Sequence, residues 1–158
     1  MALVSTLKQS LSFLSDKRLA KDLTAAFVAA VFPVDTATAT RQLTADENGL
    51  TLFLSSATEF VTTLPLPQRG LQFQIICTAA PVGASYTVVT AGSANIIKGQ
   101  SFPAALAAGD TGTADDTITF TDSVAVAGDR VELISDGTSW FAYAYCAAAT
   151  GVVFTQAS

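Results

Sequence analysis

From about residue 40 onward the sequence repeats with a period of two, in short runs separated by turn residues. Alternating apolar and polar side chains fall on opposite sides of an extended backbone, so such runs read as half-buried strands. The runs are Leu50–Leu54, Glu59–Leu64, Gln72–Thr78, Tyr86–Thr90, Asn95–Lys98, Thr117–Thr121, Arg130–Ser135, Trp140–Tyr145 and Val152–Thr155. Between them stand Glu47-Asn48-Gly49, Pro67-Gln68-Arg69-Gly70, Ala91-Gly92-Ser93, Ala127-Gly128-Asp129 and Asp136-Gly137-Thr138-Ser139, where glycine, proline or a short polar side chain favours reversal. Short strands joined by tight turns predict a mainly β domain over residues 35–158, a compact antiparallel β-sandwich or barrel. The clearest hairpin joins Arg130–Ser135 to Trp140–Tyr145 across Asp136-Gly137, the glycine supplying a positive φ. Residues 99–116 show no clear period and read as a long loop with one helical turn at Ala104–Ala108. Loops of that length are usually functional or interfacial.

Residues 1–34 follow a different period. Leu7, Leu11 and Leu14 recur at spacings of four and three, and Leu19, Leu23, Phe27 and Val31 recur every four. This predicts an N-terminal α-helical arm, either one helix broken near Ser15 or two short helices, ending at Pro33. Ser15 and Asp16 suit the start of the second run, because a hydroxyl oxygen accepts from free amides and an acid complements the positive helix end. Thr36 to Thr40 then reads as an extended connector. Charge divides at the same place. The arm carries Lys8, Lys17, Arg18 and Lys21 against Asp16 and Asp22, whereas residues 35–158 hold four basic and eleven acidic groups. Interspersed acids and many serines make the arm a poor membrane-surface helix, so its apolar stripe is expected to dock on protein. The longest apolar run, Leu23 to Val34, is about a dozen residues and too short to cross a bilayer. Met1 to Ser5 lack the basic start of a secretion signal, so localisation without secretion is expected.

Composition narrows the function classes. The chain has no histidine, which removes Ser-His-Asp and Cys-His nucleophiles and imidazole metal ligands. Its net charge of −5 argues against a nucleic-acid partner. Cys77 and Cys146 form neither a disulfide framework nor a CxxC motif, and their apolar surroundings suit buried thiols, with a single bridge as the alternative. Half of the residues are hydrophobic and 13% are charged, more apolar surface than one small domain buries, which predicts self-association.

The acidic and aromatic groups carry weak chemical signals. Asp110, Asp115 and Asp116 could gather oxygens around a cation, yet the spacing lacks the order and closing glutamate of a calcium loop. Gly109 to Gly112 is not followed by the GK[ST] of a phosphate loop. Glu132 and Asp136 lack a second acid at glycosidase spacing. No catalytic, cofactor or metal site is therefore expected. Trp140, Tyr143 and Tyr145 could form an aromatic ligand face, although alternation puts Trp140 on the side opposite Tyr143 and Tyr145.

The segment Ala127-Gly128-Asp129-Arg130-Val131-Glu132-Leu133-Ile134-Ser135-Asp136-Gly137-Thr138-Ser139-Trp140-Phe141 resembles the GDxVxLxSDGTxW ending of many tailed-phage virion proteins, in head decoration proteins and fibre modules alike. Leu43 to Leu54 and Phe60 to Pro65 resemble the beginning of the same module. A single module without internal repeats is similar to capsid decoration (cement) proteins rather than to fibre subunits. The resemblance implies a non-enzymatic homotrimer on the outer surface of the virion capsid, made in the host cytoplasm and bound to the major capsid protein. On that reading Leu7, Lys8, Leu11, Leu14, Lys17, Arg18 and Lys21 are the capsid-binding arm. The alternative is a receptor- or glycan-binding module of a fibre or tail tip, using Trp140, Tyr143 and Tyr145.

Overall fold

The computed structural model describes residues 33–56, 58–104 and 108–156. Residues 1–32 of the expected helical arm and the core of the expected turn at Ala104–Ala108 lie outside them, and Val34, expected to end the arm, instead opens the first strand. The described part is mainly β. Its strands are β1 (Val34–Ala37), β2 (Arg41–Gln42), β3 (Thr51–Leu54), β4 (Phe60–Thr63), β5 (Gln72–Cys77) and β6 (Tyr86–Val89). They continue with β7 (Ile97–Pro103), β8 (Thr111–Asp115), β9 (Thr117–Phe120), β10 (Arg130–Ser135), β11 (Trp140–Cys146) and β12 (Val152–Thr155). A seven-stranded sheet runs β1-β3-β5-β10-β11-β7-β8, and a five-stranded sheet runs β12-β9-β6-β4-β2.

The two sheets are mixed, which corrects the antiparallel arrangement expected from the sequence. β1, β3 and β5 are parallel neighbours in one sheet, as are β2, β4 and β6 in the other. The reason lies in the path of the chain. From β1 to β6 each strand crosses to the opposite sheet, so two crossings bring the backbone back beside its last strand in the same sheet, running the same way, and β7 then returns to the first sheet beside β11. Parallel pairs need such a crossover, and here a strand of the other sheet takes the place of the usual helix. Alternation looks the same under either connection.

The inward positions of both sheets meet in one apolar core. One sheet sends in Leu52, Leu54, Phe73, Ile75, Val131 and Trp140; the other sends in Phe60, Tyr86, Val88, Ile118, Phe120 and Phe154. Tyr86 tilts against Phe60 at 4.8 Å between ring centroids, and its hydroxyl donates to the Ser56 carbonyl at 2.6 Å. A buried tyrosine thus keeps its polar end satisfied.

The long loop expected over residues 99–116 is largely strand. Gly99 to Pro103 are the second half of β7, which pairs in parallel with β11, and Thr111–Asp115 form β8. These strands carry no apolar alternation because their inward positions must stay small. A Cβ on Gly99 would lie 2.6 Å from the Ala142 carbonyl and 2.8 Å from the Phe154 ring, and one on Gly112 would lie 2.9 Å from Phe154 Cβ. Phe154 borders both positions, with the Ala142 carbonyl closest to Gly99 and the Asp115 carboxylate closest to Gly112. The expected connector at Thr36 to Thr40 is also partly strand, since β1 covers Val34–Ala37.

The β10–β11 hairpin pairs in the expected antiparallel register, from Ser135 opposite Trp140 to Arg130 opposite Tyr145. Asp136 Oδ1 accepts from the Thr138 amide, the Ser139 amide and the Thr138 hydroxyl at 2.8, 2.8 and 2.9 Å. These bonds hold the Asp136 carboxyl below its usual range. Gly137 takes φ 102° in this turn. A β-branched residue there is strained, so Gly137→Val should destabilise the fold by about 1–3 kcal/mol. The check is the urea midpoint at unchanged slope; an unmoved midpoint would show that the turn relaxes without cost.

Candidate functional site

The outward face of the seven-stranded sheet gathers the exposed aromatic residues. Strand register lines up Thr36, Phe53, Ile76, Arg130, Tyr145 and Phe102 in one row across six strands. The next row runs Thr51, Gln74, Glu132, Tyr143 and Gln100. The third runs Gln72, Ile134, Phe141 and Lys98.

Planar groups stack along the first row. Phe102 and Tyr145 lie 5.6 Å apart at 25°, and the Arg130 guanidinium carbon lies 4.5 Å from the Tyr145 ring centre. Arg130 also reaches Glu132 at 3.6 Å, and Lys98 Nζ sits 5.8 Å from the Phe141 ring centre. Cations over ring faces gain from the ring quadrupole while their stems cover apolar surface. A depression of about 470 Å³ borders the stack, lined by Phe102, Val126, Asp129, Arg130 and Tyr145 among others. A second of about 230 Å³ lies over Gln72, Gln74, Glu132 and Ile134.

Trp140 is not part of this face. It is fully buried, 5.8 Å from Phe73, whereas Tyr143 and Tyr145 are 42% and 37% exposed. Period-two alternation from Trp140 turns both tyrosines to the other side of β11, so no single surface can present all three. The expected ligand face of Trp140, Tyr143 and Tyr145 is therefore replaced by Tyr143, Tyr145 and Phe102. Phe102 lies on the half of β7 where the sequence carries no legible period. The expected capsid-binding residues Leu7, Lys8, Leu11, Leu14, Lys17, Arg18 and Lys21 lie outside the described residues.

The acids hold the framework together. Asp129 is buried beneath the Gly128 turn; its Oδ1 accepts from the Ala147 amide at 2.8 Å and its Oδ2 from the Val126 amide at 3.1 Å. Asp110 Oδ2 accepts from the Phe154 amide at 2.6 Å, fastening β12 to the segment before β8. Asp115 and Asp116 sit at the step from β8 to β9, where burial and then the charges of Asp110 and Asp116 push the Asp115 carboxyl up. Glu132 stands on the outward face of β10 and Asp136 in the hairpin turn. Among the described residues no group of three or more potential ligands is placed to hold a metal ion. Cys77 and Cys146 are buried free thiols. Burial, helped by the Asp129 charge, pushes Cys77 up to about 11, and burial also raises Cys146.

The fold and this face define a mainly β protein with two mixed sheets and one broad aromatic surface. No protein-family model, curated protein or solved structure matches the chain.

Proposed function

We propose that the chain is a structural virion protein, a homotrimeric decoration protein that binds the outer surface of a tailed-phage capsid and stabilises it by bridging capsomers. In this reading the two sheets form a β-sandwich body, and residues 1–34 engage the major capsid protein. Three copies of the arm on one trimer act together, because the second and third bind at high effective concentration. The broad outward face carries the reading: it is rich in aromatic side chains, and its charges, Lys98, Arg130 and Glu132, nearly cancel, the composition of a protein contact rather than of a catalytic cleft. The resemblance over Ala127 to Phe141 supports the module type through residues with structural work, namely the buried Asp129, the Asp136 turn and the core Trp140.

Replacing Leu7, Leu11 and Leu14 together by Asp in the full chain should lower addition to capsids lacking the protein at least tenfold. Cosedimentation with shells and reconstruction of the decorated particle measure it. Wild-type occupancy would refute the role given to the arm.

The alternative, a glycan- or receptor-binding module of a fibre or tail tip, draws on the exposed Phe102–Tyr145 stack beside its depression. Under that reading Tyr143→Ala with Tyr145→Ala abolishes binding to cells or sugars, while the triple arm variant retains it.

A further inference from the structure

We infer that the outward face of the seven-stranded sheet is the surface on which copies of this chain pack against one another. Among the described residues eight large apolar side chains are exposed, and five of them, Val34, Phe102, Ile134, Tyr143 and Tyr145, belong to this face by strand parity. Six strands about 4.8 Å apart and three side-chain rows make a patch of about 500–600 Å². That approaches the roughly 600–800 Å² each partner brings to a small stable interface.

Charge selects the occupant. Residues 35–158 hold eleven acids, yet Glu132 is the one this face carries, and Arg130 of the same strand reaches it at 3.6 Å. Two such acidic bodies repel through most orientations and approach most easily where acids are missing. A strongly basic or acidic partner would find no complement here. A second copy finds a near-neutral aromatic surface like its own. Tyr, Phe and Arg are residue types enriched in buried interface cores, and the central Glu132 is paired with Arg130. Both depressions are open, one over the adjacent strands β5 and β10 and the other beside the Val126–Asp129 turn, so a broad surface fits better than a small ligand. The assignment takes only the number of copies from the homotrimer proposed above, where three such faces line the symmetry axis.

The test is the mass of the full-length protein by light scattering at micromolar concentration. Wild type should give three times the 16.3 kDa of one chain, and Phe102→Glu with Tyr145→Glu should give the single-chain mass while keeping the far-ultraviolet spectrum. Leu66→Glu and Val82→Glu, exposed but off this face, should leave the mass unchanged. Should the double variant misfold, Gln100→Cys on the same face serves instead: maleimide should label the introduced thiol slowly in the oligomer and at least tenfold faster once dilution separates the copies. A trimer indifferent to the glutamates, or a thiol labelled freely in the trimer, would overturn the assignment. So would a monomeric wild type, and protection of the thiol in that monomer would assign the cover to another part of the same chain. Failure to coat capsids by a trimer that responds as expected would overturn the decoration reading and leave this one standing.

Discussion

Trp140→Ala is expected to lower the free energy of unfolding by about 3–5 kcal/mol, because it truncates the largest fully buried side chain among the described residues. Trp140 is the first residue of β11 and is fully buried. It stands between Ser135 of β10 and Ile97 of β7, with Phe73 of β5 at 5.8 Å. Three other strands of the sheet therefore lose a shared neighbour at once. Backbone pairing holds those strands at fixed spacing, so the cavity left behind collapses only in part. Small domains are stable by about 5–15 kcal/mol in all, so the variant gives up a large share of that margin. Urea unfolding followed by far-ultraviolet circular dichroism measures it, and a loss below about 1 kcal/mol would contradict the core placement. The consequence for function is direct. Any loss of ligand binding in this variant would report unfolding, so the aromatic face must be probed at Tyr143, Tyr145 and Phe102.

The second large effect is expected at Asp129. Asp129→Ala removes the acceptor of the Ala147 and Val126 amides and leaves both beneath the Gly128 turn without it. Hydrogen bonds to a charged group contribute roughly 1.5–3 kcal/mol each, and stranded buried amides carry a comparable cost, so about 3 kcal/mol should be lost in total. Asp129→Asn, which keeps one acceptor oxygen and the shape, should lose about half as much. The charge has its own readout at Cys77, whose thiol burial and then Asp129 push up to about 11. Removing a nearby negative charge favours the thiolate, so in Asp129→Asn the pH profile of Cys77 alkylation should move downward, while burial keeps it above the ordinary thiol range. Thermal unfolding together with that profile checks both halves; an unmoved profile would show that the two groups do not interact.

Much of this architecture is legible in the sequence. Alternation locates β3, β4, β5, β6 and β9 to within a residue or two, matches β12, and finds the β10–β11 hairpin with its Asp136-Gly137 turn. It also separates Trp140 from Tyr143 and Tyr145, because parity along one strand is a local property that no tertiary contact can alter without a bulge. Where local pattern fails, a neighbour is responsible. β7 beyond Lys98 and β8 carry no period because Phe154, more than forty residues away, borders both Gly99 and Gly112. β2 is two residues long and leaves nothing to repeat.

Sheet membership and the row joining Thr36, Phe53, Ile76, Arg130, Tyr145 and Phe102 belong to the tertiary structure alone. A period of two determines which side of a strand each residue takes, and so which residues can reach the core. It carries no information about which strand lies alongside, or in which direction. Those choices come from the chain's passage back and forth between the sheets and from cross-strand packing between residues far apart in sequence. The aromatic face is therefore assembled from side chains on six different strands, each legible by itself only as one more outward position.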